Sequence, residues 1–397
     1  MRKFQPTLQG SIVKNIFKKS LLILTVFLIC VSCEDKQSKT LLFVGSFTDK
    51  KTGKGIYVYE FDDETGKSKL KSTVDNVINT SYLELSTNGK YLYSVVDAQM
   101  NYNGKVAAYK VDLENSKLNM LNMQNCGGLN PVHLEVNTTG ELLVNSNYSD
   151  GSLSLFKIKG DGRLEKHSQL LHFKDSSIIK SRQRASHIHS ANFSPDGKFI
   201  FAHDLGADKI RRFSIIKNRE SVVLKNPKEI NTKLGSGPRH FTFHQNGKFG
   251  YLANELNGKV DLYRYRNGNL IFIEDYLSYS QEQDIFRTAD IHISPDGKFL
   301  YVSNRGPKED SITVFHIDHE NGKLTIVERV NTGGKHPRNF EIHPSGRYVL
   351  VANMFTDNIV VFQRNQETGK LTKLDEDIKV KKPSSIQIKV YNNKNHL

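Results

Sequence analysis

Histidine, arginine and acidic residues recur in this chain beside short apolar runs. They are His133 after Pro131, His187-Ile188-His189 before Ser190, Arg239-His240 after Pro238, Glu255 after Asn254, Asp290 before Ile291, Arg305 after Asn304, and Arg338 after Pro337. Guanidinium groups suit a planar anion, carboxylate or phosphate, and can polarise a carbonyl, while a histidine or a glutamate can carry a proton near neutral pH. The same residues have structural uses: a buried Arg-Glu pair can tie neighbouring elements together, and a histidine at a strand start can bond a backbone carbonyl. Other chemistries find less support. His187 and His189 share one face of a strand, but no further metal ligands can be placed, so neither a metal nor another cofactor is expected. Thr65-Gly66-Lys67-Ser68 imitates the end of a phosphate-binding loop, yet Phe61 stands where the first glycine is needed. No Gly-x-Ser-x-Gly elbow occurs. His244 and His343 lie beside hairpin turns and read as structural.

The elements that carry these residues follow from a repeat. A polar-Gly turn ahead of an apolar run occurs at Asn88-Gly89-Lys90, Asp196-Gly197-Lys198, Asn246-Gly247-Lys248, Asp296-Gly297-Lys298 and Ser345-Gly346-Arg347, with a weaker copy at Thr139-Gly140-Glu141. The six glycines are 51, 57, 50, 50 and 49 residues apart. Such turns between apolar runs are hairpin signals, because glycine takes the positive φ the tight turn needs. A second, alternating strand follows each turn, as in Val260-Asp261-Leu262-Tyr263, and seven copies exist, from Ile56–Tyr59 to Ile359–Phe362. About fifty residues with four strand signals and no helical period is the length of one propeller blade. The expected fold is therefore all-β, a seven-bladed β-propeller, in preference to an open β-solenoid or two β-sandwiches. Six hairpins against seven later strands leave one blade short of its first strand. The C-terminal run Ser385–Val390 supplies it beside Leu41–Gly45, so the two chain ends share one blade and close the ring.

Within a blade, antiparallel pairing puts the start of the innermost strand and the end of the second on the same face, near the central channel. Strand starts bring His133, His189, Arg239, His240, Asp290 and Arg338 to that rim. Strand ends bring Asn147-Tyr148, Asp204, Asn254-Glu255, Asn304-Arg305 and Asn353. The opposite rim receives only the hairpin turns, and that asymmetry argues for a site.

The 397 residues, 37% hydrophobic and 25% charged, provide for a real core and exclude both a disordered tail and a multi-span membrane protein. Net charge is +14, but five bases and no acid fall in the first 32 residues, leaving about +9 spread singly over turns, and nucleic-acid binding is not expected. Lys18 and Lys19 precede an apolar run, Leu21–Val31, of secretory-signal length. Val31-Ser32-Cys33 then resembles a bacterial lipoprotein cleavage box with Cys33 as lipid acceptor, although Cys30 stands where such boxes usually have Leu. Ordinary signal-peptidase cleavage and an uncleaved anchor are the alternatives. The expected layout is a leader over 1–33, a linker over 34–40, the propeller over 41–391 and a tail over 392–397, in a lipid-anchored envelope protein, monomeric after export. Cys126 would then be the remaining thiol, packing as a small hydrophobe.

Ser186-His187-Ile188-His189-Ser190, Gly237-Pro238-Arg239-His240, Ala253-Asn254-Glu255-Leu256, Ala289-Asp290-Ile291-His292-Ile293-Ser294-Pro295-Asp296-Gly297 and Ser303-Asn304-Arg305-Gly306 together resemble the seven-bladed propeller lactonase family. That family includes the propeller type of 6-phosphogluconolactonase and the fungal carboxy-cis,cis-muconate cyclase. The resemblance runs from about residue 41 to residue 390. It implies catalytic roles for His189, Arg239, Glu255 and Arg305, with His133, His187, His240, Arg338, Asn254 and Asn304 as substrate contacts. The chain departs from the pattern at Arg184-Ala185-Ser186, where an acidic residue, Gly and Pro usually follow an Arg-Gln pair; Arg182-Gln183 is kept. This loop is expected to enter the site and to bear on substrate preference.

The leading expectation is hydrolysis of a sugar lactone, 6-phosphoglucono-δ-lactone or a related aldonolactone. Glu255 or His189 would activate water and arginines would bind the oxyanion and the substrate's anionic group. Two others stay open: cyclisation of a muconate to its lactone, and a non-catalytic propeller whose rim is a binding platform.

Overall fold

The computed structural model describes residues 1–2, 38–48, 53–218 and 221–392, and every regular element among them is a β-strand. Thr40–Val390 form one compact unit. Cys33 and the rest of the expected leader beyond Arg2 lie outside the described residues, as does the tail from residue 393.

The second strands are almost wholly buried, as in Phe249–Asn254, Phe299–Asn304 and Tyr348–Asn353, and the strands pair into seven antiparallel sheets. We number these blades 1 to 7 in chain order. Blades 2 to 7 span residues 83–129, 131–172, 188–231, 238–277, 288–331 and 337–379, each with its first strand innermost. Blade 1 is composite: the C-terminal strand Pro383–Tyr391 pairs with the N-terminal strand Lys39–Ser46, which continues into Lys54–Phe61 and Ser68–Asp75. The two chain ends thus share one sheet, as the strand count required. All six predicted turns join first to second strands, with the glycine φ between 66° and 73°.

The core lies between neighbouring sheets. Leu42, Val44 and Ile386 of blade 1 pack with Leu350 and Val361 of blade 7. Tyr251 and Leu262 of blade 5 pack with Ile291, Val302 and Phe315 of blade 6. Each fully buried side chain of this size contributes roughly 1.5–3 kcal/mol. Tyr93, Tyr251 and Tyr301 carry their hydroxyls inside and satisfy them identically, each donating to a glycine carbonyl of the next blade: Gly162 at 3.1 Å, Gly322 at 2.8 Å and Gly369 at 2.7 Å.

One irregularity matters for the site. Four innermost strands open on proline (Pro131, Pro238, Pro337, Pro383), where the missing N–H costs no ladder bond. In blades 3, 4, 5 and 7 the pairing register then skips one residue, so that Val132, His189, Arg239 and Arg338 are each the extra residue of a β-bulge. Blade 6 shifts register at the same level, between Thr288 and Ile291. A bulge re-aims side chains that strict alternation would send to opposite faces.

Candidate active site

Glu255 is the hub of the rim. It follows the second strand of blade 5, with its amide bonded to Gly237 O at 2.8 Å. Its carboxylate accepts from three guanidiniums: Arg182 Nη2 at 2.5 Å on Oε1, and Arg239 Nε at 3.0 Å and Arg305 Nη2 at 2.9 Å on Oε2. Glu255, Arg239 and Arg305 are 6%, 1% and 4% exposed. Burial alone would raise the Glu255 pKa, but Arg305, Arg182 and Arg239 outweigh it and hold the carboxyl far below the usual range. Glu255 is therefore a fixed anion. The expectation that it carries a proton meets this obstacle: both oxygens are occupied by cations.

The guanidiniums are anchored from behind as well. Arg239 Nη1 donates to Ala289 O at 2.6 Å; Arg305 Nε donates to Arg287 O at 3.1 Å, and its Nη1 lies 3.4 Å from His336 Nε2. Burial, reinforced by Arg305, lowers Arg239 to about 9. Arg338 differs. It faces the same mouth, lowered to about 10 by burial and by Arg305; its guanidinium lies 5.5 Å from the centre of the Phe47 ring, and it makes no ion pair with a carboxylate among the described residues. The cluster is thus four guanidiniums around one carboxylate.

Imidazoles form the floor. The His189 ring lies 5.2 Å from that of His240, and His133 lies 5.4 Å from His240, both edge-on. Tyr82 packs 4.6 Å from His133. His189 and His133 are held well below 6.5, by burial and then by Arg239 and His240 respectively, and His240 is lowered to about 4 by burial and Arg239. All three are uncharged at neutral pH. His240 Nδ1 sits 2.7 Å from Asp290 Oδ1. Asp290 is ionised, since His292 and His240 overcome the burial that opposes it. Deeper along the channel Glu84, Glu135 and Glu341 are raised by burial, Glu135 to about 8, while His292 rises to about 9 because Asp290 and Glu341 outweigh its burial.

Of the residues singled out from sequence, His133, His189, Arg239, His240, Glu255, Arg305 and Arg338 converge on this mouth. His187 stacks on Tyr148 at its edge, with rings 4.4 Å apart and Nδ1 2.8 Å from Tyr148 O. Asn304 does not converge: it is fully buried and turned into blade 6, donating to Ser278 O, Ser311 Oγ and Thr313 Oγ1 at 3.2 Å. Asn254, at the equivalent point of blade 5, is also fully buried beside Asp261, but its Nδ2 and Oδ1 meet no hydrogen-bond partner among the described residues. The expectation of a substrate contact is corrected for Asn304, whose amide is taken up inside its own blade. The last residue of each second strand points between strands, where Asn147 and Asp204 likewise hold the third strand through Ser152, Ser154 and Arg211. His244 and His343 are structural as expected, on Gly297 O and on Ser345 and Asp63.

Sequence reasoning missed Arg182 as a site residue. Its loop is pinned by Gln183, which donates to Leu205 O and Asp208 Oδ1 at 2.9 and 2.8 Å, and by Gly206, where a Cβ would lie 1.8 Å from Ala185 O. The kept Arg-Gln pair was the available signal. The altered triplet stays out of the mouth: Arg184 is exposed and bonds Lys180 O, while Ser186 Oγ accepts from the Asp175 amide.

Seven blades around a mouth lined by arginine, a clamped glutamate and uncharged histidines define a propeller of the lactone-handling class. The chain matches the family described as "Lactonase, 7-bladed beta-propeller" over residues 41–388, and it belongs to that family. It is 51% identical over 351 residues to a 6-phosphogluconolactonase of Formosa agariphila, covering 88% of this chain and 99% of that protein. A 6-phosphogluconolactonase of Bacillus subtilis is 32% identical, with 88% and 98% covered. Among solved structures, a periplasmic gluconolactonase of Pseudomonas aeruginosa superposes with a TM-score of 0.82 at 31% identity, covering 89% of this chain and 99% of that one.

Proposed function

We propose that the protein hydrolyses a sugar lactone bearing an anionic group, 6-phosphoglucono-δ-lactone or a related aldonolactone, by acid–base chemistry of its own side chains. The observation that carries this reading is the excess of guanidinium over carboxylate at one mouth, beside imidazoles that are uncharged and able to accept a proton. Glu255 holds Arg182, Arg239 and Arg305 in fixed orientation without being consumed. Each guanidinium has five N–H donors. Arg239 commits two, to Glu255 and Ala289 O, which leaves donors for a lactone carbonyl whose oxygen gains charge as water adds. Arg338, which pairs with no carboxylate among the described residues, suits the substrate's own anion. An imidazole of the floor takes the proton of the attacking water, a role Glu255 is too strongly held as an anion to fill.

The test is a panel of lactones assayed by acid release with purified protein, alongside ultraviolet loss of a carboxymuconate. Turnover of 6-phosphoglucono-δ-lactone or glucono-δ-lactone is expected. Muconate turnover alone would point to the cyclase, and saturable binding without turnover to a binding platform.

We also place the protein at the cell envelope, held by a lipid on Cys33. Support comes from the apolar run Leu21–Val31 ahead of Ser32-Cys33, and from the periplasmic setting named for the Pseudomonas relative. At such a location unphosphorylated aldonolactones made outside the membrane become substrates. Labelling of growing cells with an alkyne fatty acid should tag the protein. A tag that survives Cys33→Ser would refute the anchor.

A further inference from the structure

We propose that His240, oriented by Asp290, is the group that takes the proton from the attacking water, an assignment that rests on the lactone hydrolysis argued above. An ionised carboxylate only accepts hydrogen bonds, so at 2.7 Å from Asp290 Oδ1 the His240 Nδ1 carries the hydrogen and Nε2 is left as a lone pair. That Nε2 is buried and meets no donor among the described residues. Folded proteins rarely leave a buried acceptor unfilled, and the exceptions concentrate where a ligand or a water completes the bond.

Asp290 is unable to turn away. Its Oδ2 receives His292 Nε2 at 3.1 Å, the Asn339 side-chain amide and the Phe340 backbone amide at 3.4 Å, while the Ile291 amide reaches Oδ1 at 3.1 Å. Blades 6 and 7 thus fix the carboxylate that fixes an imidazole of blade 5. His189 and His133 lack this arrangement: the Nδ1 of each, the nitrogen that Asp290 holds in His240, is buried without a partner. The bulge at Arg239 adds a further element. It sets Arg239 and His240, consecutive in sequence, at the same mouth, so a carbonyl-polarising group and a proton acceptor come from one turn of chain.

Around His240 stand Arg239 on its own strand, Asp290 and His292 from blade 6, His189 and His203 from blade 4, His133 from blade 3 and Tyr82 ahead of blade 2. Arg239 opposes protonation of His240 and Asp290 favours it. An anionic substrate at the mouth offsets that opposition, so the base strengthens when the site is filled. In the step itself, the water oxygen bonds the lactone carbonyl carbon, its proton passes to Nε2, and the carbonyl electron pair moves onto the oxygen facing the guanidiniums. Collapse breaks the ring C–O bond, and the proton on His240 is delivered to the departing ring oxygen, yielding the open hydroxy acid. Asp290 acts through His240 and is a positioning residue.

The experiment uses the purified full chain with the lactones that the wild type opens. His240→Gln should lower kcat at least 100-fold with KM within threefold, and His189→Gln less than tenfold. His240→Ala should recover at least tenfold on addition of imidazole, which a structural role would not allow. Asp290→Asn should lower kcat at least tenfold and move the acid limb of kcat to lower pH, because His240 loses the charge that favours its protonated form. Wild-type kcat in His240→Gln, a folded His240→Ala that imidazole does not restore, or an unmoved acid limb in Asp290→Asn would overturn the assignment. A wild-type protein that opens no lactone removes the functional reading itself, whereas an active wild type with an indifferent His240 removes only this one.

Discussion

Glu255 illustrates why a residue's type is a weak guide to its task. A carboxylate beside arginines could accept a proton or could hold the arginines still, and three guanidinium contacts choose the second. Removing one partner of a buried ion pair leaves charge uncompensated and costs roughly 3–5 kcal/mol. Glu255→Gln is therefore expected to lower the thermal midpoint by several degrees together with activity, and a variant that melts like wild type yet is inactive would reassign Glu255 to the chemistry. Arg338 gives the complementary prediction. Arg338→Ala should raise KM for 6-phosphoglucono-δ-lactone at least tenfold while leaving glucono-δ-lactone kinetics within twofold; equal losses on both would show that it does not read the anion. Cys126 is fully buried with its thiol pushed up by burial to about 11, which agrees with the inert, packing role expected from its surroundings.

The element that makes the site is the short innermost strand with its proline start and bulge. Without the extra residue, strict alternation would turn either Arg239 or His240 away from the channel; with it, Arg239 reaches Glu255 and His240 reaches Asp290. Proline-led starts were visible in the sequence, the register skip was not, because a bulge is defined by what lies opposite. The same holds for Asn304, whose strand-end position was read correctly and whose direction into blade 6 was not. Between blades, the repeated tyrosine-to-glycine bond is testable. Tyr251→Phe leaves Gly322 O without its donor and should cost about 1 kcal/mol, read as a lower urea midpoint with unchanged slope. No change would mean that water replaces the hydroxyl.

At the scale of the whole ring, closure is carried by one strand. Ending the chain after residue 382 would strip Ile386 and Ile388 from the seam with blade 7 and leave the Lys39–Ser46 strand paired on one side alone, with Lys54–Phe61. The truncated protein is expected to lose its cooperative thermal transition, and a sharp transition near the full-length midpoint would show the ring stable while open. Acid stability is also a property of the ring, because its centre buries uncharged histidines. His133, His189, His203 and His240 all have folded pKa values below the unfolded 6.5, His203 near 3 and His240 near 4, so the unfolded chain binds the extra protons. The histidine contribution is accordingly full above 6.5 and falls as pH drops toward 4, by on the order of 1 kcal/mol per pH unit for each histidine, while Glu84, Glu135 and Glu341, raised above 4.5 by burial, contribute in the opposite sense. Glu255, lowered from 4.5, adds its loss below that pH. The thermal midpoint of the wild type relative to His203→Gln should therefore fall from pH 7 to pH 4.5; a constant difference would mean that this imidazole is already solvated.

Blade number, hairpin position, ring closure and the choice of rim were all legible in the chain, because each follows from a local rule applied at a fifty-residue period. A glycine turn, an alternating strand and antiparallel pairing need only near neighbours, and seven repeats leave one closed arrangement that buries every sheet. The work of individual side chains was settled by atoms distant in sequence. Arg182 joins the site through a pinned loop, Glu255 is silenced by three cations from three segments, and His240 is oriented by an aspartate 50 residues away. Charge and direction inside a dry channel depend on the sum of all neighbours, and that sum exists only after the blades have met.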